Sequence, residues 1–362
     1  MKRLVISRHH IRQNIKACKA KAGPREIYAD LSADGCGLGI VELANILRDE
    51  GIGNFIISDV EDAVTLRGRG FIDENIIMAR STADSDELNE LIDLGVTCTV
   101  GSYDAAVAIN GIAEERKTVC EVMLKIDTGL GRYGFMPSET DKIASVYKYM
   151  PGLAIVGVFT TFSNSARSKR LTLAQFHTFR DVLEELHGMN LETGVTFCFD
   201  DAAMFKYKFG TDMSAVRLGP AFSGRIPGCQ FQGQKRVGYI QATLEEVGWF
   251  PAGHKVGDGA VLRKPTKLAV ISVGTYFGYG LVKFDEHSSI ISYLVEKFRR
   301  RYIKVNGRKA KIVGHIGLMH TIADVTDISC NVGDFATMDV NPVDVKRLPV
   351  VYTDGGGSAK EA

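Results

Sequence analysis

The chain has 362 residues, 45% of them hydrophobic and 24% charged, which is enough to bury the cores of a large barrel and a second domain. A formal net charge of +1 with no long Lys/Arg cluster argues against a nucleic-acid partner, and the densest basic stretch, Lys297 to Lys309, reads as a solvated face. No apolar run reaches the roughly 18 residues that span a bilayer, and MKRLVISRHH lacks a signal-peptide core, so no membrane and a cytoplasmic location are expected.

The first strand-like run is EIYADL, Glu26 to Leu31, followed by small residues and an apolar-periodic helix, IVELANILRDEG. Further β-rich runs come at NFIISD, NIIMA, TCTV, CEVMLKI, AIVGVFT, GVTFCF and AVRLG, separated by helical stretches such as SYDAAVAINGIAEE and LTLAQFHTFRDVLEELHGM. Strands in regular alternation with helices, most of them continuously apolar, predict an α/β fold, a (β/α)₈ TIM-like barrel. Chemistry in such a barrel sits where strands give way to loops. That places Asp30, Asp34, Arg132, Thr161, Asp200, Asp201 and Arg217 around one mouth.

After about residue 225 short strands with turn chemistry take over, in KRVGYIQATLEEVGWF, KPTKLAVISVG, YIKVNGRKAKIVGHIG and NVGDFATMDV. They predict a mostly antiparallel β-domain, interrupted by one helical insertion near SSIISYLVEKFRR. The expected division is 1–230 for the barrel, 231–353 for the β-domain and 354–362 for a flexible tail whose GGGS resembles an appended linker.

The seven cysteines are scattered and contain no C-x-x-C pair, so neither a disulfide framework nor a zinc knuckle is indicated. Cys36 and Cys198 fall at strand ends, where a buried inert thiol is the plainer reading. His9, His10, His315 and His320 lack metal-ligand spacing and read as structural.

Four strings, LKIDTGLGRYGF, VRLGPAFSG, VGDGA followed by PTKLAVISVG, and VNGRKAKIVGHIG with DVTDISCNVGD, give the chain a resemblance to the alanine racemase family over about residues 1 to 353. The resemblance implies a homodimer with sites at its interface. In ordinary members pyridoxal 5′-phosphate (PLP) forms a Schiff base with a lysine at the end of the first barrel strand, and a tyrosine from the partner subunit is the second acid/base. Matched residue by residue, the lysine position is Asp30, the neighbouring tyrosine Asp34 and the following histidine Cys36, while the partner tyrosine is Asp258 in GDG. A carboxylate cannot form an imine, and a carboxyl of pKa roughly 4 does not replace a phenol of roughly 10.

The resemblance further puts the family's phosphate contacts at Asp34, Asp201, Gly219, Pro220 and Tyr352. Proline donates no N–H, and the two carboxylates oppose an anion. Arg217 matches the arginine facing the pyridine nitrogen, Arg132 the one near the phenolic oxygen, and Thr161 stands where a histidine is usual. The substrate pocket maps to Thr275, Tyr276, Leu318 and Met319. The expectation is therefore an alanine-racemase-like dimer without lysine-dependent racemisation, with no metal and no cofactor, whose altered acidic pocket binds or acts on a small molecule through Asp30 and Asp258. The competing readings are a PLP-dependent racemase using a displaced lysine or a non-covalent cofactor, and a structural scaffold dimer, natural or engineered. The helix after the seventh barrel strand also allows a plainer role for the Asp pair in FDDAAMF, as caps.

Overall fold

The computed structural model describes residues 1–207, 212–257, 259–281, 290–291, 294 and 301–355. In chain order the elements are β1 (Lys2–Ser7), α1 (Arg8–Ala22), β2 (Glu26–Asp30), α2 (Ser32–Cys36), α3 (Ile40–Asp49), β3 (Asn54–Ile57), α4 (Val60–Gly68), β4 (Asn75–Ser81), α5 (Ser85–Asp93), β5 (Thr97–Val100), α6 (Tyr103–Arg116), β6 (Cys120–Lys125), α7 (Thr140–Tyr149), β7 (Leu153–Phe159), α8 (Lys169–Gly188), β8 (Val195–Phe197), α9 (Asp201–Lys206) and β9 (Ala215–Leu218). The second half is built of β10 (Tyr239–Phe250), β11 (Lys255–Val256), β12 (Ala260–Val261), β13 (Thr266–Ile271), β14 (Tyr302–Val305), β15 (Arg308–Ile312), β16 (Thr321–Asp324), β17 (Phe335–Asp339) and β18 (Val350–Thr353).

Strands β2 to β9 form one parallel sheet in the order β8-β7-β6-β5-β4-β3-β2-β9. Its two ends are joined by the Arg217 N–H donating to the Phe199 carbonyl at 2.9 Å and the Thr196 N–H donating to Ser214 Oγ at 2.8 Å. The sheet is thus a nearly closed barrel, and its eight strands are the eight β-rich runs of the sequence. The interior holds a layer of Tyr28, Ile56, Ile77, Met123, Phe159, Phe197 and Ala215, each from a different strand. Phe197 stacks on Tyr28 and on Phe159, with ring centroids 5.2 and 5.0 Å away. Side chains alternate along a strand, so the residues two positions onward from Tyr28, Met123 and Ala215 share the next interior layer toward the C-terminal mouth. Those residues are Asp30, Lys125 and Arg217.

The main sheet of the second unit has the order β13-β16-β15-β14-β17-β10-β1-β18, and β13 pairs with β10 as well, so it curls back on itself, while β11 and β12 form a separate two-stranded sheet. All its pairs are antiparallel except β1 with β18. The expected antiparallel β-domain is therefore present. It also takes in the start of the chain, since Met1–Gln13 and Ser223–Arg225 cluster with the described residues from Lys235 onward. The expected helical insertion falls almost wholly outside the described residues, as does the tail beyond Gly355. Among the described residues no helix is long and apolar enough to cross a membrane.

Candidate functional site

Asp30 ends β2, and Arg217 sits on the neighbouring β9, where the parallel register sets Tyr28 beside Arg217. The Asp30 carboxylate accepts from Arg217 Nη2 at 2.6 Å and from Nε at 3.0 Å through Oδ2, while Oδ1 accepts the Ser32 N–H at 3.0 Å. Burial pushes the Asp30 carboxyl up, but Arg217 and the Ser32 hydrogen bond outweigh it and hold the group below its ordinary value. Burial likewise opposes the charge on Arg217, and Asp30 overcomes it. The pair is charged and doubly bonded, and it leaves Asp30 no oxygen without a donor. A Cβ at Gly219 would lie 3.1 Å from Asp30 Cβ and 3.3 Å from Cys36 Sγ, so glycine is what lets the end of β9 approach.

Beyond Leu31 the backbone of α2 winds left-handed. Ala33, Asp34, Gly35 and Cys36 have φ of 56, 55, 62 and 56°. Left-handed turns cost roughly 1–2 kcal/mol per residue with a Cβ, and Asp is one of the few types that tolerate them. Asp34 uses the turn to place Oδ1 on the Ile40 N–H at 2.8 Å, capping the first turn of α3. The sequence reading set Asp34 beside an anion; the structure gives its carboxylate a helix to cap.

Asp200 and Asp201 divide their work. Asp200 caps α9, accepting from the Ala203 N–H at 2.9 Å and from Ser165 Oγ at 2.6 Å. This is the capping role that FDDAAMF allowed. Asp201 is buried at 7% exposure and receives the N–H groups on either side of Pro220, Ala221 at 2.7 Å and Gly219 at 3.2 Å. The Asp201 carboxyl is raised to about 7: burial pushes it up most, the Ala221 N–H offsets part of that, and the charge of Asp200 adds to the rise. Sequence reasoning missed Ala221, because the Asp201 to Ala221 contact spans 20 residues and no local pattern announces it.

Lys125 is buried at the end of β6 and donates to the Arg132 carbonyl at 2.9 Å. Burial, reinforced by the positive charges of Arg132 and Arg217, lowers its ammonium to about 8. The Arg132 side chain is exposed and Thr161 half-buried. The neighbouring Thr160 hydroxyl donates to the Ile126 carbonyl at 2.8 Å and meets the Thr128 hydroxyl at 2.9 Å. The thiols of Cys36 and Cys198 are pushed up by burial, in keeping with inert cysteines.

In the β-unit, Thr275 and Tyr276 start a short 3₁₀ turn, Thr275–Phe277. Their N–H groups donate to the carbonyls of Gly317 and Leu318, both at 3.0 Å, so the two substrate-pocket segments implied by the resemblance lie side by side. Leu318 is 64% and Met319 39% exposed. The Arg347 guanidinium covers the Tyr276 ring at 5.3 Å, and that of Arg8 covers Tyr352 at 5.3 Å. Asp258 lies outside the described residues. Among the described residues no three His, Cys, Asp or Glu side chains group as metal ligands.

Residues 6–227 match the family model for the alanine racemase N-terminal domain, more than half of the chain. The chain belongs to the alanine racemase family. The alanine racemase of Desulforamulus reducens is 27% identical over 332 residues, covering 90% of this chain and 85% of its own length. That of Desulfosudis oleivorans is 29% identical, covering 87% and 81%. The alanine racemase of Bartonella henselae, with covalently bound pyridoxal phosphate, superposes with a TM-score of 0.80 at 20% identity, over 97% of this chain and 99% of its own. This corrects the expectation of no cofactor: relatives that share the whole fold point to pyridoxal phosphate. The expectation arose from weighing single positions in the mouth above the family as a whole.

Proposed function

We propose that this family member forms a homodimer and binds a small molecule at the barrel mouth without running alanine racemisation through residue 30. The observation that carries the reading is the pair of hydrogen bonds from Arg217 to Asp30 Oδ2 at the position where the family resemblance puts the reactive lysine. Racemisation at that strand end needs a nitrogen that is a nucleophile when neutral and a proton carrier between steps. Asp30 offers neither, because its carboxylate is held ionised and both oxygens already accept hydrogen bonds. Its role is to position Arg217 and to seal the end of β2.

The donor set decides how this mouth fits pyridoxal phosphate, the group to which the relatives point. In the family resemblance that group would meet Asp30, Arg217 and the N–H groups near Gly219. Here Arg217 is bonded to Asp30, and the Gly219 and Ala221 N–H groups are bonded to Asp201. The family arrangement is not reproduced at these contacts. The amine present at this end of the barrel is Lys125, with a lowered pKa. Pyridoxal phosphate is therefore the first ligand to titrate, and Lys125 the first residue to inspect for attachment.

The decisive experiment supplies the purified protein with pyridoxal phosphate and follows the interconversion of L- and D-alanine with an enantiomer-specific oxidase. No interconversion above the protein-free rate is expected. Steady turnover above that rate would overturn the reading, and its loss or survival in Lys125→Met would show whether that amine carries it. A thermal-shift panel of amines, carboxylates and pyridoxal phosphate, repeated on Arg217→Met, locates the binding: ligands held at the mouth lose their shift in the variant.

A further inference from the structure

The β-unit carries a cavity of about 340 Å³ on its sheet. That volume is at the lower end of what small-molecule sites occupy. Strands β1, β10, β17, β14 and β15 are consecutive neighbours, and cross-strand register brings Thr337, Lys304 and Lys309 into one row. Tyr239 and Asp339 form the adjacent pair, and the rings of Tyr239 and Tyr302 line the same space.

The charge pattern points to a ligand. Lys304 and Lys309 are directly opposite each other, an arrangement that destabilises an antiparallel pair. Among the described residues neither ammonium has an ion-pair partner. Among the described residues Asp339 is the one carboxylate lining the cavity, and it is already shared by Arg225 and Arg236. The cavity therefore has an excess of cations over anions, and flat rings close by.

We propose that this cavity binds a small planar-ringed molecule bearing a carboxylate or phosphate, with Lys304 and Lys309 receiving the oxyanion and Tyr239 and Tyr302 flanking the ring. An oxyanion between the two ammoniums cancels their repulsion, and each hydrogen bond to it is charge-assisted. The site involves none of the barrel-mouth residues and stands or falls independently of the reading proposed for them.

Isothermal titration of the full-length protein with 1-naphthyl phosphate, 1-naphthoate, 1-naphthol and inorganic phosphate tests it. Saturable binding of at least one naphthyl anion is expected, weakening with salt, with naphthol and inorganic phosphate each weaker by about tenfold or more, the worth of one charge-assisted contact. The two anions separate a phosphate from a carboxylate preference. Lys304→Ala with Lys309→Ala should abolish the binding. Lys309→Glu should also abolish it while raising the thermal midpoint, because it turns a repulsive cross-strand pair into an attractive one and shows that the fold is intact. Absence of saturable binding by either anion, equal binding of naphthol, or undiminished binding in the double alanine variant overturns the proposal.

Discussion

Asp30 and Arg217, 187 residues apart in sequence, meet at 2.6 Å where the first and last strands of the barrel run side by side. The contact is both the chemical departure from the family pattern at the mouth and a clasp across the sheet. Asp30→Ala would leave the guanidinium buried and unpaired. A loss of about 3 kcal/mol is expected, at the lower end for a broken buried pair because the side chains keep 18% and 20% exposure. Urea unfolding measures it, and Asp30→Ala combined with Arg217→Met should recover much of the loss. A double variant as unstable as the sum of the singles would rule out the clasp.

Asp201 predicts a pH signature. Its carboxyl is raised to about 7 in the folded protein from an unfolded value near 4, so the native state binds the extra proton between those limits. The stability from this group is fully present below about pH 4 and is lost as pH rises toward 7. Asp30, held low, has the opposite sign: its contribution is present above the unfolded pKa and is lost as pH falls through the folded one. The difference in unfolding free energy between wild type and Asp201→Asn, measured from pH 4 to 8, isolates the Asp201 contribution. It should shift in favour of wild type as pH falls from 7 toward 4, and a flat difference would refute the assignment.

The left-handed turn separates two contributions of Asp34. Asp34→Ala removes the cap on α3 and puts a less tolerant residue at φ 55°, whereas Asp34→Gly removes the cap and relaxes the backbone. The alanine variant should be the less stable by about 1 kcal/mol. Thermal unfolding of the two variants decides it, and an equal loss in both would mean that the turn carries no strain.

Lys125 should react before the surface lysines. Its ammonium is lowered to about 8, so the nucleophilic neutral form grows in through that pH while ordinary lysines stay protonated. Incubation with pyridoxal phosphate followed by borohydride reduction and peptide mass spectrometry should find Lys125 labelled first, with a labelling midpoint near pH 8. Labelling that follows solvent exposure alone would count against this.

The eight barrel strands were legible because each is a short apolar run between helical periods, and parallel strands buried on both faces leave that mark. The position of Asp30 and Arg217 at one mouth followed from strand ends, whereas Lys125 was not singled out there. What the acidic residues do there was not legible. The Asp34 bond to Ile40 passes through a left-handed turn that Ala33 and Cys36 disfavour by propensity, and the Asp201 bonds reach to Gly219 and Ala221 on another element. Side chains that read as an acidic cluster open to a ligand are bonded inward. The place of Lys2–Ser7 in the second sheet was hidden for the same reason, since both its neighbours are more than 200 residues away.

That last pairing bears on how the protein is made. During synthesis β1 emerges before the barrel strands, yet its partners β10 and β18 leave the ribosome only after the whole barrel has been translated. Apart from the β2–β9 pair, the barrel strands pair with sequence neighbours and need no such wait. A newborn chain must therefore carry β1 as an unpaired edge, open to mispairing with other chains, until the last strand arrives and closes the ladder.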